Sequence, residues 1–209
     1  MSRILYYHQQ SNFSRKIRIL LAEKKIDYEL KEIDLSKEKP SFFLEISPIG
    51  KVPVFVDEDG TIVWDSTLIA EYIDETYPDP SFYPSSFIKR LECRKWEELA
   101  DTLGDSIIRL WVLNKTNNLN PTPYQFSLEQ SINRLLKIFD QQLSQSAYLL
   151  GGETWTIADI ATLCSLGYYN LRFNEDWELE YYHLKKWFNK LHEHESVYST
   201  IPQKISSKL

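Results

Sequence analysis

The stretch that decides the fold is Ile49-Gly50-Lys51-Val52-Pro53-Val54-Phe55-Val56. Gly50 can adopt backbone angles that are closed to other residues, and Pro53 has no N–H and a fixed φ. The three residues after the proline are typical of a short buried strand. The backbone ahead of this strand is therefore left available to a ligand. A cis bond before Pro53 would turn the N–H and C=O of Val52 out of the sheet, where an extended peptide could pair with them.

Composition limits the kind of protein to which this stretch can belong. The chain has 209 residues, enough for one large domain or two small ones with a core that needs no cross-links. A formal net charge of −6 disfavours nucleic-acid binding. Cys93 and Cys164 lie in helical patterns far apart, which predicts buried thiols in a reducing compartment. Since no run approaches a membrane span, we expect a cytoplasmic protein with no membrane or nucleic-acid partner.

Hydrophobic periodicity in the first part of the chain predicts a small α/β unit. Its predicted elements are a strand at 4–7, a helix from Phe13, a strand at 28–33, a polar connection at 37–47, a β-hairpin of 54–56 and 61–64, and a helix that ends before Pro78. The first two strands should be parallel because a helix connects them.

A change of composition marks the domain boundary. Residues 79–86 are rich in proline and serine, which is typical of a linker. We expect a first domain at 1–78 and an all-helical domain at 87–209. Apolar residues recur at helical spacing there in four runs, at 91–110, 128–143, 157–171 and 184–191. The result is an α+β two-domain architecture with a cleft, where ligands are commonly bound.

Ser11 lies between the first strand and the first helix. Backbone N–H groups and the positive end of the helix dipole at this point suit an anion. Ser11, Asn12 and Ser14 are also good N-cap residues, and capping is the commoner role of such side chains. Ser14 adjoins the periodic residues and is therefore predicted to be the cap, which leaves Ser11 to face a ligand.

The pair Asp65-Ser66 precedes the second helix of the first domain. Either residue can cap this helix. Alternatively, Asp65 can meet an ammonium group while Ser66 and the helix N–H groups hold a carboxylate. These are the two charged groups of an amino-acid head. Lys51 could also meet a carboxylate, although an exposed lysine at a strand edge is the default interpretation.

The remaining polar patterns are interpreted as structural. A basic cluster in and after the first helix is taken as a solvated face rather than an anion-steering patch. Its members are Arg15, Lys16, Arg18, Lys24 and Lys25. Thr156-Ile157-Ala158-Asp159 has the pattern of a capping box with Asp in place of Glu or Gln. The four histidines and two cysteines have no zinc-ligand spacing, so no metal is proposed.

Taken together, these motifs resemble the cytosolic glutathione S-transferase family through the whole length of the chain. The residues that carry the resemblance are Tyr6-Tyr7, 11–18, 47–53, Asp65-Ser66 and 156–159. The resemblance implies a thioredoxin-like N-terminal domain, an all-helical C-terminal domain, a cis bond before Pro53 and a homodimer. It implies Ser11 as the catalytic residue, and as glutathione-binding residues it implies Phe13, Lys51, Val52, Pro53, Asp65 and Ser66.

The activity implied by the resemblance is conjugation of the glutathione thiolate to a small hydrophobic electrophile, as in detoxification. Glutathione is then a co-substrate and no other cofactor is needed. Ser11 stands where omega- and beta-type members carry cysteine, which disfavours mixed-disulfide chemistry, and Asn12 replaces a proline that often follows the active serine. For the second substrate, Tyr7, Asp105, Arg109 and Trp111 are candidates to face the cleft.

Two other functions are compatible with the same fold, because fold alone does not determine function. The first is a non-catalytic regulatory or protein-binding module, such as the stringent starvation proteins that bind RNA polymerase. The second is a glutathione-dependent isomerase or peroxidase. The chain retains Ser11, Val52-Pro53 and Asp65-Ser66, and an intact glutathione-binding site argues against the non-catalytic alternative.

Overall fold

The computed structural model describes residues 2–116, 121–173 and 177–203. The chain divides into two compact units, Met1–Tyr83 and Pro84–Leu209. The division falls within the segment 79–86, while the bounds expected for the domains and linker remain a prediction.

The first unit is built on a four-stranded sheet. Its elements are β1 Ile4–Tyr7, α1 Asn12–Glu23, β2 Glu29–Glu32, α2 Ser41–Ile46, β3 Val54–Val56, β4 Ile62–Trp64 and α3 Ser66–Thr76. The strand order is β2-β1-β3-β4, with β1 parallel to β2 and antiparallel to β3. β3 and β4 form the predicted antiparallel hairpin. The thioredoxin-like fold expected for this unit is confirmed.

Apolar side chains of the sheet and of the helices α1 and α3 hold this unit together. Leu5 in β1 is paired with Phe55 in β3, and neither side chain has exposed surface. The fully buried apolar residues of the two longer helices are Ile17, Ile19, Leu20 and Leu21 in α1 and Ile69, Ala70 and Ile73 in α3. Each such side chain other than Ala70 contributes about 1.5–3 kcal/mol by leaving water.

The segment 37–47, which was predicted only as a polar connection, contains the short helix α2. Only Phe43 of its six residues is buried, while Phe42 and Leu44 are exposed. One buried residue gives no 3.6-residue period to recognise. The helix has Pro40 as its N-cap and no side-chain capping bond, so the usual start signal is also missing.

The basic cluster is not a solvated helix face. Arg15, Lys16 and Lys24 are only 2%, 1% and 7% exposed, so this interpretation was wrong for three of its five members. Periodicity identifies the apolar stripe of a helix but cannot show that a charged residue beside the stripe has buried partners.

Lys24 illustrates how a buried charge is accommodated. Its Nζ lies 2.7 Å from Oδ1 of Asp74 and donates hydrogen bonds of 2.6 Å to the carbonyl oxygens of Tyr77 and Pro80. Asp74 also accepts a hydrogen bond of 2.8 Å from the N–H of Phe82. Because both charges have several partners, the Lys24–Asp74 ion pair connects the end of α1 with the segment that follows α3.

The described part of the second unit is helical. Its elements are α4 Phe87–Thr116, α5 Pro123–Leu143, α6 Ile157–Arg172, α7 Trp177–Glu180, α8 Tyr182–Leu191 and α9 Glu195–Tyr198. The four longer helices contain the four predicted apolar runs. α7 and α9 are one turn each, too short to show a period. Residues 117–120 of the predicted break lie outside the described residues. No helix within the described ranges has the length and apolar character needed to cross a membrane.

Asp159 joins three parts of the helical unit. The predicted capping box is confirmed, because the N–H and Oγ1 of Thr156 donate to Oδ2 of Asp159 at 2.9 and 3.1 Å. Oδ1 accepts from the N–H of Leu149 at 3.0 Å and from Nε1 of Trp187 in α8 at 3.2 Å. Burial raises the pKa of the Asp159 carboxyl to about 6, against the opposing effect of these donors.

Both cysteines are free and buried, as predicted. Burial raises the pKa of the Cys93 thiol to about 12, so this thiol is not a nucleophile at neutral pH.

Candidate functional site

Ser11, not Ser14, is the N-cap of α1. Its backbone is extended, with φ −80° and ψ 119°, and its Oγ accepts a hydrogen bond of 3.1 Å from the N–H of Ser14. The prediction that Ser14 is the cap was wrong because the helix begins at Asn12, one turn ahead of its first fully buried apolar residue. Ser14 therefore lies inside the first turn and has no exposed surface.

Capping leaves the Ser11 hydroxyl free to donate. Its proton has no acceptor among the described residues, and the backbone N–H groups of Asn12 and Phe13 have no partner there either. Three donors thus lie at the positive end of a 12-residue helix. Such an arrangement is suited to an anion.

Asn12 is a feature of this site that the sequence does not reveal. Its side chain is only 4% exposed, and its buried Oδ1 has no hydrogen-bond partner within the described residues. A polar residue beside a serine cap predicts solvent contact rather than burial, so no sequence signal was available.

The backbone at Val52 is open to pairing. β3 begins at Val54, and neither the N–H nor the C=O of Val52 has a hydrogen-bond partner in the described part of the chain. The Val52–Pro53 peptide bond is cis. The Val52 side chain packs in a buried cluster with Ile33 and Phe43. The side chain is therefore anchored while the backbone polar groups remain available.

Ser47 fixes the path of the chain into this open segment. Its Oγ donates to the carbonyl oxygen of Lys51 at 2.9 Å and accepts from the N–H of Lys51 at 3.2 Å. Gly50 has φ +62°, a left-handed conformation that a side chain would strain. The Lys51 side chain is exposed.

Asp65 combines a strained backbone with a capping role. Its φ of 73° is unusual for a residue other than glycine, and such strain costs about 1–3 kcal/mol. Oδ1 caps α3 by accepting from the N–H groups of Thr67 and Leu68 at 2.9 and 3.3 Å. Oδ2 and the hydroxyl of the buried Ser66 have no hydrogen-bond partner among the described residues. Capping thus engages Oδ1 and leaves Oδ2 available to a ligand.

The register of the sheet places three strand ends side by side. Tyr6 near the end of β1 pairs with Val54 at the start of β3, and Val54 pairs with Trp64 at the end of β4. The end of β1, the start of β3 and the end of β4 therefore meet at one end of the sheet.

The predicted site residues follow from this arrangement. Ser11 and Phe13 come after β1, Val52 comes directly before β3, and Asp65 and Ser66 come after β4. The structure thus brings together, at one end of the sheet, the Ser11 hydroxyl, the unpaired backbone N–H and C=O of Val52, and the Oδ2 atom of Asp65. Their roles in binding remain predictions.

The candidates for the second substrate have other contacts in the structure. Nη1 of Arg109 donates to the hydroxyl of Tyr124 at 3.2 Å. The ring of Trp111 lies 4.1 Å from Nζ of Lys115 and 4.0 Å from Cζ of Arg172. That these residues face a substrate remains a prediction.

Comparison with known proteins identifies the family. Residues 5–81 match the model of the glutathione S-transferase N-terminal domain, and residues 105–195 match that of the glutathione S-transferase C-terminal domain. The chain is 33% identical over 200 residues to the uncharacterized GST-like protein YibF of Escherichia coli K12. The aligned segment covers 93% of this chain and 96% of YibF.

Two further relatives extend the comparison. The chain is 35% identical over 175 residues to a probable maleylacetoacetate isomerase of Caenorhabditis elegans, covering 83% of this chain and 81% of the relative. The crystal structure of a glutathione S-transferase from Methylobacillus flagellatus with glutathione bound superposes with a TM-score of 0.89 at 30% identity, over 97% of this chain and 100% of that one.

The chain therefore belongs to the glutathione S-transferase family. The fold class implied by the resemblance is confirmed, and the prediction of a glutathione transferase is confirmed at the level of the family.

Proposed function

We propose that this protein binds glutathione at the end of the sheet where β1, β3 and β4 meet, and conjugates its thiolate to a small hydrophobic electrophile. The observation that carries the proposal is the position of Ser11, Val52 and Asp65, whose unused hydrogen-bonding groups lie at one end of three adjacent strands. The relative from Methylobacillus flagellatus, which contains bound glutathione, supports the choice of ligand.

The tripeptide backbone is held by strand addition. The N–H and C=O of Val52 pair with the cysteinyl residue of glutathione, as an extended peptide pairs with an open strand. Pro53 follows without an N–H of its own, and Phe13 lies beside the thiol end of the site. These contacts orient the cysteinyl side chain toward the start of α1.

The γ-glutamyl end is recognised by its two charges. The unused Oδ2 of Asp65 accepts from the ammonium group, while the Ser66 hydroxyl and the first N–H groups of α3 donate to the carboxylate. Lys51 supplies a positive charge near a carboxylate of the ligand. The strain at Asp65 is consistent with a residue that is held for binding.

Ser11 activates the sulfur. A free thiol has a pKa of about 8.5, and a pKa lower by about two units requires about 2.7 kcal/mol of preferential stabilisation of the thiolate. A hydrogen bond to a charged group contributes about 1.5–3 kcal/mol, and a helix N-terminus contributes about 0.3–1 kcal/mol. The Ser11 hydroxyl and the start of α1 together supply this amount. The thiol proton is released to water, and the thiolate then attacks the electrophilic carbon. With an aryl halide, the new C–S bond forms as the carbon–halogen bond breaks and the halide leaves with its electron pair.

Thermal unfolding in the presence of glutathione tests this proposal. A ligand that binds only the native state stabilises it by RT ln(1 + [L]/Kd), so the midpoint should rise continuously with glutathione concentration. γ-Glutamylcysteine, which retains the contacted groups, should also raise the midpoint. An unchanged midpoint at millimolar glutathione would contradict the binding site and with it the conjugation activity.

A glutathione-dependent isomerase is a second candidate function. It is favoured by the similarity to the probable maleylacetoacetate isomerase of Caenorhabditis elegans. Assays of the same preparation with an aryl halide, a peroxide and maleylacetoacetate separate transferase, peroxidase and isomerase activities. A chain that binds glutathione but acts on none of the three would instead indicate a non-catalytic module.

The homodimer and the cytoplasmic location implied by the resemblance belong to the same proposal. At the start of α4, Phe87 and Ile88 are 74% and 69% exposed, an apolar surface suited to a second copy of the chain. The two free cysteines fit a reducing compartment. Light scattering that gave the mass of one chain at micromolar concentration would contradict the dimer.

A further inference from the structure

The turn between β1 and α1 is held by a closed ring of hydrogen bonds that includes Ser11. The N–H of Ser11 donates to the carbonyl oxygen of His8 at 3.0 Å, and the N–H of Ser14 donates to Oγ of Ser11 at 3.1 Å. The N–H of His8 closes the ring with a longer bond of 3.4 Å to Oγ of Ser14. Because Ser14 is fully buried in α1, both the backbone and the side chain of Ser11 are constrained.

The imidazole ring of His8 adds a bond inside the same turn. Its Nδ1 accepts a hydrogen bond of 3.2 Å from the N–H of Gln10, two residues further on. An acceptor side chain at the first position of a turn binds this N–H in many proteins, and the residue there is commonly Asp or Asn. Nδ1 can accept only when it carries no proton, so the contact assigns the proton of the neutral ring to Nε2. His8 therefore does in this turn what an asparagine would do.

The backbone donors around Ser11 fall into two groups. The N–H groups of residues 9–11 all have acceptors within the protein. The next two N–H groups, those of Asn12 and Phe13, have no partner in the described part of the chain. His8 supplies two of the three acceptors, one from its backbone and one from its ring. Without the ring, the N–H of Gln10 would lose its acceptor, and the turn would lose one of the bonds that fix it.

We propose that His8 is a positioning residue for Ser11 in the thiolate chemistry, an inference that rests on the proposed function. The ring acts through the turn and not on the sulfur. Nδ1 holds Gln10, and the turn in consequence holds the Ser11 hydroxyl at the start of α1. Misplacing a group that acts on the transition state lowers the rate more than it weakens binding of a ligand held mainly elsewhere. Loss of the acceptor should therefore lower kcat and leave the KM for glutathione nearly unchanged.

A matched pair of substitutions isolates the acceptor. Asparagine places an oxygen close to the position of Nδ1, and leucine has nearly the same shape without an acceptor. His8→Leu should lower kcat with an aryl halide by about 3- to 10-fold, as expected for one neutral hydrogen bond, while His8→Asn stays within about twofold of the unmodified chain. In both variants the KM for glutathione should change by less than about twofold.

Two further variants serve as controls. His8→Gln carries its amide near the position of Nε2 and should therefore resemble the leucine variant. Gln9→Leu changes the same turn at a side chain that forms no hydrogen bond with the described residues, so its kcat should equal that of the unmodified chain. Equal kcat in His8→Leu and His8→Asn, or rescue by glutamine instead of asparagine, would overturn the proposal.

The double variant His8→Leu/Ser11→Ala tests whether His8 acts through Ser11. Residues that act as one unit give losses that do not add, so the double variant should have the kcat of Ser11→Ala alone. Losses that multiply would show that His8 acts independently of Ser11 and would also overturn the proposal.

Long-range ¹H–¹⁵N spectra of the unmodified chain test the ring itself, whatever the stability of the leucine variant. In mildly alkaline buffer the His8 signal, assigned by its loss in His8→Asn, should show the proton on Nε2. A proton on Nδ1 would contradict the role of His8. Absence of glutathione binding would contradict the proposed function as well, whereas glutathione-dependent turnover that is equal in the asparagine and leucine variants would contradict the role of His8 alone.

Discussion

At the scale of single residues, Ser11 has two roles that do not compete. Its Oγ accepts the N–H of Ser14 and so begins α1, while its proton remains available to the sulfur of a bound thiol. Accepting one hydrogen bond also makes the hydroxyl a better donor. The resemblance indicated the serine, but its capping bond could be seen only in the structure.

Replacing Ser11 by alanine should lower turnover with an aryl halide by about 10- to 1000-fold, while the affinity for glutathione changes little. The lost contact favours thiolate over thiol and contributes little to binding of the tripeptide. Steady-state rates and calorimetric binding give the two quantities. Ser11→Thr retains a hydroxyl and a cap and serves as the control. Full turnover in Ser11→Ala would remove this residue from the mechanism.

A substitution at Asn12 can test the contribution of its backbone N–H separately from that of the Ser11 hydroxyl. Ser11 already has the extended backbone required before a proline, and position 12 is the first of the helix, so Asn12→Pro removes one N–H without breaking α1. Because a helix N-terminal donor is worth about 0.3–1 kcal/mol, the pKa of the bound thiol should rise by a few tenths of a unit. The pH profile of kcat/KM measures this shift.

The matched control at this position is Asn12→Ala, which keeps the N–H but removes the buried amide. It should leave the thiol pKa unchanged. If the alanine and proline variants give the same pH profile, the Asn12 N–H makes no contribution to the thiolate.

At Asp65, a substitution can test the negative charge separately from the helix-capping role. Asparagine also caps helices and tolerates positive φ, so Asp65→Asn should preserve stability and the start of α3. A hydrogen bond between charged partners contributes about 1.5–3 kcal/mol, and its loss should raise the KM for glutathione by about 10- to 100-fold. Thermal unfolding without ligand should be unchanged. An unaltered KM would contradict the assignment to the γ-glutamyl ammonium.

At the scale of elements, the start of α6 depends on a carboxyl whose ionisation is unfavourable. The pKa of Asp159 is raised by burial from 3.8 to about 6. Between these values the native state binds more protons than the unfolded state, so stability falls as pH rises through this window. Relative to Asp159→Asn, the free energy of unfolding should fall by about 2 kcal/mol from pH 4 to pH 7.

Chemical denaturation across this pH range measures the effect. The asparagine variant is expected to be less stable throughout, because its NH₂ group would face the N–H of Thr156. The difference in slope is therefore the readout. Equal slopes would show that Asp159 has an ordinary pKa in the folded protein.

The elements differ in how well the sequence indicates them. The long helices α4, α5, α6 and α8 repeat their apolar residues over several turns, and the hairpin has a clear turn signal, so these were predictable. α2 buries one side chain and α7 and α9 are single turns, so none has a period to detect. The buried pair of Lys24 and Asp74 joins positions 50 residues apart, and no local pattern identifies such a partner.

At the scale of the whole molecule, the family was recognisable because its motifs are spread over the chain in fixed order. The thiol end, the backbone segment and the γ-glutamyl end come from three separate stretches that the sheet register brings together. Sequence therefore predicted the proposed glutathione site more completely than any other surface of the molecule.

The measurement that tests the central claim most directly is the pKa of the glutathione thiol in its complex with the protein, followed by the ultraviolet absorbance of the thiolate as pH is varied. If the Ser11 hydroxyl and the start of α1 stabilise the sulfur, this pKa should lie about two units below its free value of about 8.5. A bound thiol that still titrates near its free value would contradict the account.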